Sequence, residues 1–264
     1  MRRLAAVVRL VALAILGASA VPAAAWGPTG HRITGALAEH YLSPRARAGV
    51  MEILGTESLE EASTWPDHMR SAPGLFWRVT ASPWHYVTVP DGRRWRDQPA
   101  PAEGDAVTAL DRFARTIRDP AASPSDKALA LRFAIHIVGD LAQPLHVGRP
   151  GDRGGNDVKV RFFGRETNLH AVWDSDLIDH ERLSFSEWAA RLHRRLTPEQ
   201  LRAWSSPDPE QWVDDAVAIR AGLYPDRPDL AWDYVFAQRE TLDAQLAKGG
   251  LRLAAWLNRL FDAP

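Results

Sequence analysis

Two His-x-x-x-Asp pairs constrain this chain more than any other feature: His136 with Asp140, and His170 with Asp174. A spacing of four brings both members of a pair to one face of a helix. Leu129, Phe133, His136 and Asp140 fall within a stripe about 60° wide at about 100° per residue. Two of the four are core-type residues, so His136 and Asp140 point inward with them. A buried carboxylate costs several kcal/mol unless it is paired or coordinates a metal. For this pair alone, a hydrogen-bonded His–Asp couple and a metal site remain equally open.

The neighbourhood favours metal. His146 follows the break at Pro144, in Gln143-Pro144-Leu145-His146, so two pairs and an intervening histidine lie within 39 positions. Imidazoles and carboxylates together suit a borderline ion such as zinc. The chain has no cysteine, which excludes disulfides and thiolate ligands. Asp67, in Trp65-Pro66-Asp67, and His85, in Pro83-Trp84-His85-Tyr86, supply further donors. Alone, Asp67 reads as a helix cap and His85 as a loop residue. Trp65, Trp84 and Trp173 lie close to candidate ligands and suit an aromatic wall, while core packing explains most of the 11 tryptophans.

The N-terminal 25 residues read as a secretory signal. Arg2, Arg3 and Arg9 precede the apolar run Leu10 to Leu16, and Ala23-Ala24-Ala25 forms a small-residue cleavage site. The run is shorter than the roughly 20 residues of a membrane span, and no later segment is apolar enough for one. A retained N-terminal anchor is the alternative. The expectation is a single domain over 26–264, secreted or periplasmic and monomeric. Removing three Arg leaves 29 basic residues against 33 acidic ones, a formal charge of −4. That charge excludes a protein that grips nucleic acid through a basic surface. Metal ions would have to supply positive charge. Cleavage before Trp26 would also free an α-amine beside a carbonyl, a five-membered chelate with His31 five residues on.

The remaining pattern predicts an all-α, single-domain multi-helix bundle with a short β-hairpin or loop region near 150–165. Helices are expected over 31–42, 45–54, 105–119 and from the Ser123 cap to about Leu141, where Pro144 intervenes. Later helices are expected over 169–180, 185–195, 197–204, 209–223 and 229–261, the last interrupted at Gly249-Gly250. Asp157 to Phe163 alternates like a strand, and 148–156 reads as a loop. The Pro-rich stretch 82–104 reads as a site-bearing loop.

In order along the chain stand Trp-Gly-x-x-Gly-His, Trp-x-Asp, Trp-His-Tyr, His-x-x-Gly-Asp-x-x-Gln-Pro-Leu-His, Gly-Gly-Asn and Asn-Leu-His-x-x-Trp-Asp. From Trp26 to about Leu177 this series resembles the secreted zinc-dependent single-strand nucleases of the S1/P1 family. The resemblance implies three zinc ions. Asp67, His85, His136 and Asp140 would hold one; Trp26, His31 and a bridging Asp140 a second; His146, His170 and Asp174 a third, more exposed. It implies in-line attack on phosphorus by a zinc-activated water near neutral pH, leaving 5′-phosphates. Asp67 would also orient the nucleophile.

Arg70, where the family commonly has Lys, would steady a phosphoryl oxygen, although a solvated helix charge is the plain alternative. Asn156 would contact a base edge or phosphate, and Tyr86 would stack on a base, favouring single-stranded DNA, RNA and nucleotides. Thr88 departs from a common family Asp, which leaves base preference open. The related zinc-dependent phospholipase C typically ends its ligand series with His and Glu rather than His170 and Asp174. A secreted zinc-binding protein without turnover is the other alternative. His40, His68, His180 and His193 fall outside the motifs and read as surface or packing residues.

Overall fold

The structure, a computed structural model, describes residues 26–262; the signal-type segment and its cleavage site lie outside them. The fold is all-α with small sheets. Early helices are α1 (Pro28–Glu39), α2 (Pro44–Leu54), α3 (Leu59–Ala62) and α4 (Trp65–Met69). Then come α5 (Ala106–Arg118), α6 (Pro124–Ala142), α7 (Leu169–Ala171) and α8 (Leu177–His180). The C-terminal part holds α9 (Phe185–Arg195), α10 (Pro198–Trp204), α11 (Pro209–Arg220) and α12 (Trp232–Asp262). No helix of the described residues is long and apolar enough to cross a membrane.

Local chemistry accounts for most boundaries. The Ser123 hydroxyl accepts from the Asp126 N–H, with Pro124 at the first helical position. Asp105, Ser184 and Thr197 each form a reciprocal capping box, at α5, α9 and α10. Helix α1 starts at Pro28, three residues earlier than the apolar spacing predicts, so His31 lies in its first turn. From Ala130 to Ala142 helix α6 is buried on every side except at Arg132, as befits a central helix. Helices α1, α5, α11 and α12 pack around it.

The five strands among the described residues are short. Strand β1 (Val87–Thr88) pairs in parallel with β2 (Val147–Gly148), in register Val87 with Val147 and Thr88 with Gly148. Strands β3 (Lys159–Phe162) and β4 (Arg165–Asn168) form the expected hairpin, turned by Phe163 (φ 48°) and Gly164 (φ 80°). Strand β5 (Asp229–Leu230) pairs in parallel with β3.

Three expectations need correction. Asp229 and Leu230 belong to a strand, not to the last helix, because Arg161 and Phe163 donate backbone N–H bonds to Pro228 and Leu230. The expected helix 169–180 contains a π-helical turn, Val172–Asp176, between α7 and α8. Gly249 and Gly250 do not interrupt α12, which is continuous over 31 residues. Their missing side chains admit α1 instead: a Cβ at Gly249 would stand 2.6 Å from Thr34 Cγ2, and one at Gly250 2.7 Å from Leu37 Cβ. Helix propensity alone makes Gly250→Ala stabilising by about 1 kcal/mol. The close approach reverses the sign, since overpacking costs about 1–3 kcal/mol. Urea unfolding should therefore show a lower midpoint for Gly250→Ala; a higher one would refute this reading of the α1–α12 contact.

Candidate metal centre

Helix α6 supplies the middle of the site. His136 and Asp140 are both fully buried, and His136 Nε2 lies 3.1 Å from Asp140 Oδ2. His31, from the first turn of α1, brings Nε2 to 3.3 Å from Asp140 Oδ1. Its ring stacks on that of His136, with centroids 4.0 Å apart. Gly139 makes room for it, since a Cβ there would lie 2.8 Å from His31 Nδ1. His85 closes the group with Nδ1 3.1 Å from Asp140 Oδ2 and 2.9 Å from His136 Nε2. Asp67, on α4, stands 3.9 Å from His136 Nε2 and 3.3 Å from Arg70.

The strand pair β1–β2 connects this group to the next. Pairing of Val87 with Val147 sets His85 beside His146, whose Nδ1 lies 2.7 Å from the His85 carbonyl. His146 Nε2 faces Asp174 Oδ1 at 3.7 Å, and His170 Nε2 faces Asp174 Oδ2 at 3.1 Å. Gln143 donates to Asp174 Oδ1 at 2.6 Å. Among the described residues, three groups could thus hold an ion: His31, Asp67 and His136; His85, His136 and Asp140; His146, His170 and Asp174.

Trp26 enters through its neighbour. The Gly27 N–H donates to the Asp174 carbonyl at 2.7 Å, and the Trp26 indole is fully buried. All nine expected ligand residues therefore come from segments that meet at one place. His40 and His193 stack on each other, His180 stacks on Phe163, and His68 is exposed.

The donor chemistry fits a cation. His136, His146 and His170 each direct Nδ1 at a backbone carbonyl, those of Ser63, His85 and Gly154, at 2.6, 2.7 and 2.7 Å. Such a bond fixes the tautomer and leaves the Nε2 lone pair facing the cluster. Lone pairs then confront carboxylate oxygens, which repel unless positive charge lies between them. Among the described residues, both ring nitrogens of His31, His146 Nε2 and Asp140 Oδ1 are buried without a hydrogen-bond partner. Buried polar atoms of this kind normally have partners, and a metal would supply them.

Protons take that place in the protein alone. Burial pushes His31 and His85 below the ordinary histidine value, against the upward pull of Asp140. Burial also opposes the charged form of His146, yet Asp140 and Asp174 carry it up to about 9. His136 is raised on the same balance, with Asp140 and Asp67 outweighing burial. Burial alone would raise Asp140, but the imidazoles of His136 and His146 hold it well below the carboxylate range. Asp140 thus stays ionised, and the protons held on His136 and His146 are ones that a divalent cation can displace.

A cavity of about 400 Å³ opens over the centre and is lined by Arg70, His85, Tyr86, His146, Asn156 and His170. Tyr86 is 44% exposed, whereas His85 and His146 at the cavity floor are nearly buried. Asn156 is half-buried and donates to the Arg153 carbonyl at 2.9 Å. Sequence reasoning gave no role to Arg220, which is 2% exposed. Its guanidinium donates to the carbonyls of Val147 and Gly148 at 2.9 and 2.8 Å, and to Val89 at 2.6 Å. It thus ties together the strands that follow His85 and His146. No motif surrounds it; the only sequence signal is an arginine inside an otherwise apolar helix face.

The chain is similar to named nucleases along most of its length. Nuclease PA3 of a Penicillium species is 29% identical over 267 residues, covering 89% of this chain and 97% of that protein. Endonuclease 4 of Arabidopsis thaliana is 31% identical over 271 residues, covering 90% of each. Nuclease S1 of Aspergillus oryzae is 26% identical over 272 residues, covering 90% and 93%. The S1/P1 nuclease family pattern matches residues 26–262, all of the described chain, and this protein belongs to that family.

Proposed function

We propose that the protein is a secreted, trinuclear zinc phosphodiesterase that cleaves single-stranded DNA and RNA to 5′-phosphate products, with 3′-nucleotidase activity at the same centre. The observation that carries this reading is the convergence of three His/Asp groups beneath one cavity bordered by Arg70, Tyr86 and Asn156. Asp67, His85, His136 and Asp140 would hold the first zinc. Trp26, through amine and carbonyl, His31 and Asp140 would hold the second, and His146, His170 and Asp174 the third. Bound zinc supplies Lewis acidity, neutralising phosphoryl charge and acidifying water.

The side chains do the rest. Asp67 is 22% exposed in its side chain while Asp140 is fully buried, so Asp67 is the acid of the first group that can orient an incoming water. Arg70 lies against Asp67 at the cavity wall, where its guanidinium is suited to a non-bridging phosphoryl oxygen. Asn156 offers an amide to a phosphate or base edge. Tyr86 presents a ring for base stacking, worth about 1–3 kcal/mol per base. A stacked base above a buried centre favours unpaired strands, because a duplex keeps its base faces covered.

Chain purified with a verified Trp26 terminus should contain three zinc ions by mass spectrometry. It should cleave denatured DNA, lose that activity on chelation and regain it when zinc is restored. Cleavage that survives complete chelation would refute the metal mechanism. Hydrolysis of phosphatidylcholine without cleavage of denatured DNA would favour a phospholipase C, and intact zinc without any turnover a binding protein.

A further inference from the structure

Tyr86 borders a second cavity, of about 300 Å³, which shares Tyr86, Val87 and Thr88 with the first. Its other side is the 82–104 segment, including Trp95, Gln98 and Glu103. The two cavities differ in charge. Arg70, Arg149 and Arg153 line the one above the metal centre. Among the described residues, no Arg or Lys lines the second, where the acids are Glu103 and Asp105.

Asp105 is already engaged: Oδ2 accepts from Trp95 Nε1 at 2.6 Å, and Oδ1 from the Thr108 N–H at 2.9 Å. Glu103 is exposed and lines the same cavity as Tyr86. An acid-lined cavity repels a phosphate but accepts a neutral base. Tyr86 and Trp95 add aromatic side chains to its lining, which suits the same occupant.

We propose that this second cavity is a base subsite for the nucleotide adjoining the one at the metal centre, and that Glu103 selects guanine there. The proposal rests on the nuclease reading above and deepens it. An ionised carboxylate only accepts hydrogen bonds. Guanine presents two neighbouring donors, N1–H and the N2 amino group, which match two carboxylate oxygens. Adenine and cytosine set one amino group beside a ring acceptor, and thymine and uracil set one N–H between two carbonyls. Each of those places a lone pair against Glu103.

The test uses zinc-loaded full-length mature protein and oligo-dT strands carrying one internal G, A or C. The bond at a fixed offset from guanine should be cut about tenfold more efficiently, in kcat/KM, than the same bond in the A, C or all-T strands. Glu103→Gln should bring the four values within about twofold of one another. Because Glu103 is exposed, that variant keeps the fold, and the ratio among strands is insensitive to the amount of active protein. Equal cutting of all four strands by the wild type, or a guanine preference that persists in Glu103→Gln, overturns the subsite and leaves the nuclease reading standing. If the wild type cuts no strand at all, the nuclease reading fails and the subsite falls with it.

Discussion

Asp140→Asn is expected to lower single-strand cleavage by about 10³-fold or more, a loss of at least about 4 kcal/mol of transition-state stabilisation. Asp140 has the densest set of partners in the centre: His31, His85 and His136 lie within 3.3 Å of its two oxygens, and His146 lies at 3.7 Å. Asparagine keeps the shape but removes one negative charge and turns one acceptor into a donor. Facing a cation, that donor is repulsive; facing an imidazole lone pair, it hydrogen-bonds the nitrogen that would otherwise bind the ion. In the proposed arrangement Asp140 bridges two zinc ions, so one substitution should empty both positions. The third ion, which His146, His170 and Asp174 would hold in that arrangement, should be retained. Mass spectrometry should therefore count one zinc per chain in place of three. Three retained ions, with cleavage within threefold of wild type, would sink the bridging role.

Much of the centre was legible because its donors sit on regular elements. The four-residue spacing of His136 and Asp140 fixes a shared helix face whatever the tertiary fold, and both side chains are fully buried. His170 and Asp174 keep the pairing through a π-helical turn, so the spacing identified the pair while the helix type was wrong. Asp67 and His85 were locally ordinary, and only their place in the motif order singled them out. The acceptors that fix the histidine tautomers were invisible, because Ser63, His85 and Gly154 act through backbone carbonyls that any residue supplies. Two-residue strands such as β1 and β2 are too short for an alternation pattern, so the pairing that sets His85 beside His146 could not be read either. Gly249-Gly250 misled for a related reason. Local propensity treats glycine as a helix breaker, whereas here the demand comes from α1 across the interface.

Retaining Ala25 ahead of Trp26 should cost about 10²-fold or more in cleavage while leaving the fold in place. The proposed second zinc takes two donors from Trp26, and an amine that has become a peptide nitrogen no longer offers a lone pair. The chain there has little freedom to compensate. The Gly27 N–H is bonded to the Asp174 carbonyl, and a Cβ at Gly27 would lie 2.2 Å from Ser175 Oγ. Gly30 packs against Trp26, where a Cβ would stand 3.0 Å from the Trp26 Cβ, and the indole is fully buried. The terminus therefore cannot slide by one residue to present a new amine in the old position. The same anchoring is why the fold should survive, since Trp26 keeps its packing in either form. Proteins starting at Ala25 and at Trp26 would be compared by metal count, thermal unfolding and cleavage. The longer form should bind one zinc fewer and unfold at a similar temperature when both are stripped of metal. Equal zinc content and equal cleavage would show that the amine is no ligand, and that signal removal has no catalytic consequence. A lower unfolding temperature in the stripped longer form would instead mean that Ala25 disturbs the packing of Trp26, and the activity loss could not then be credited to the amine.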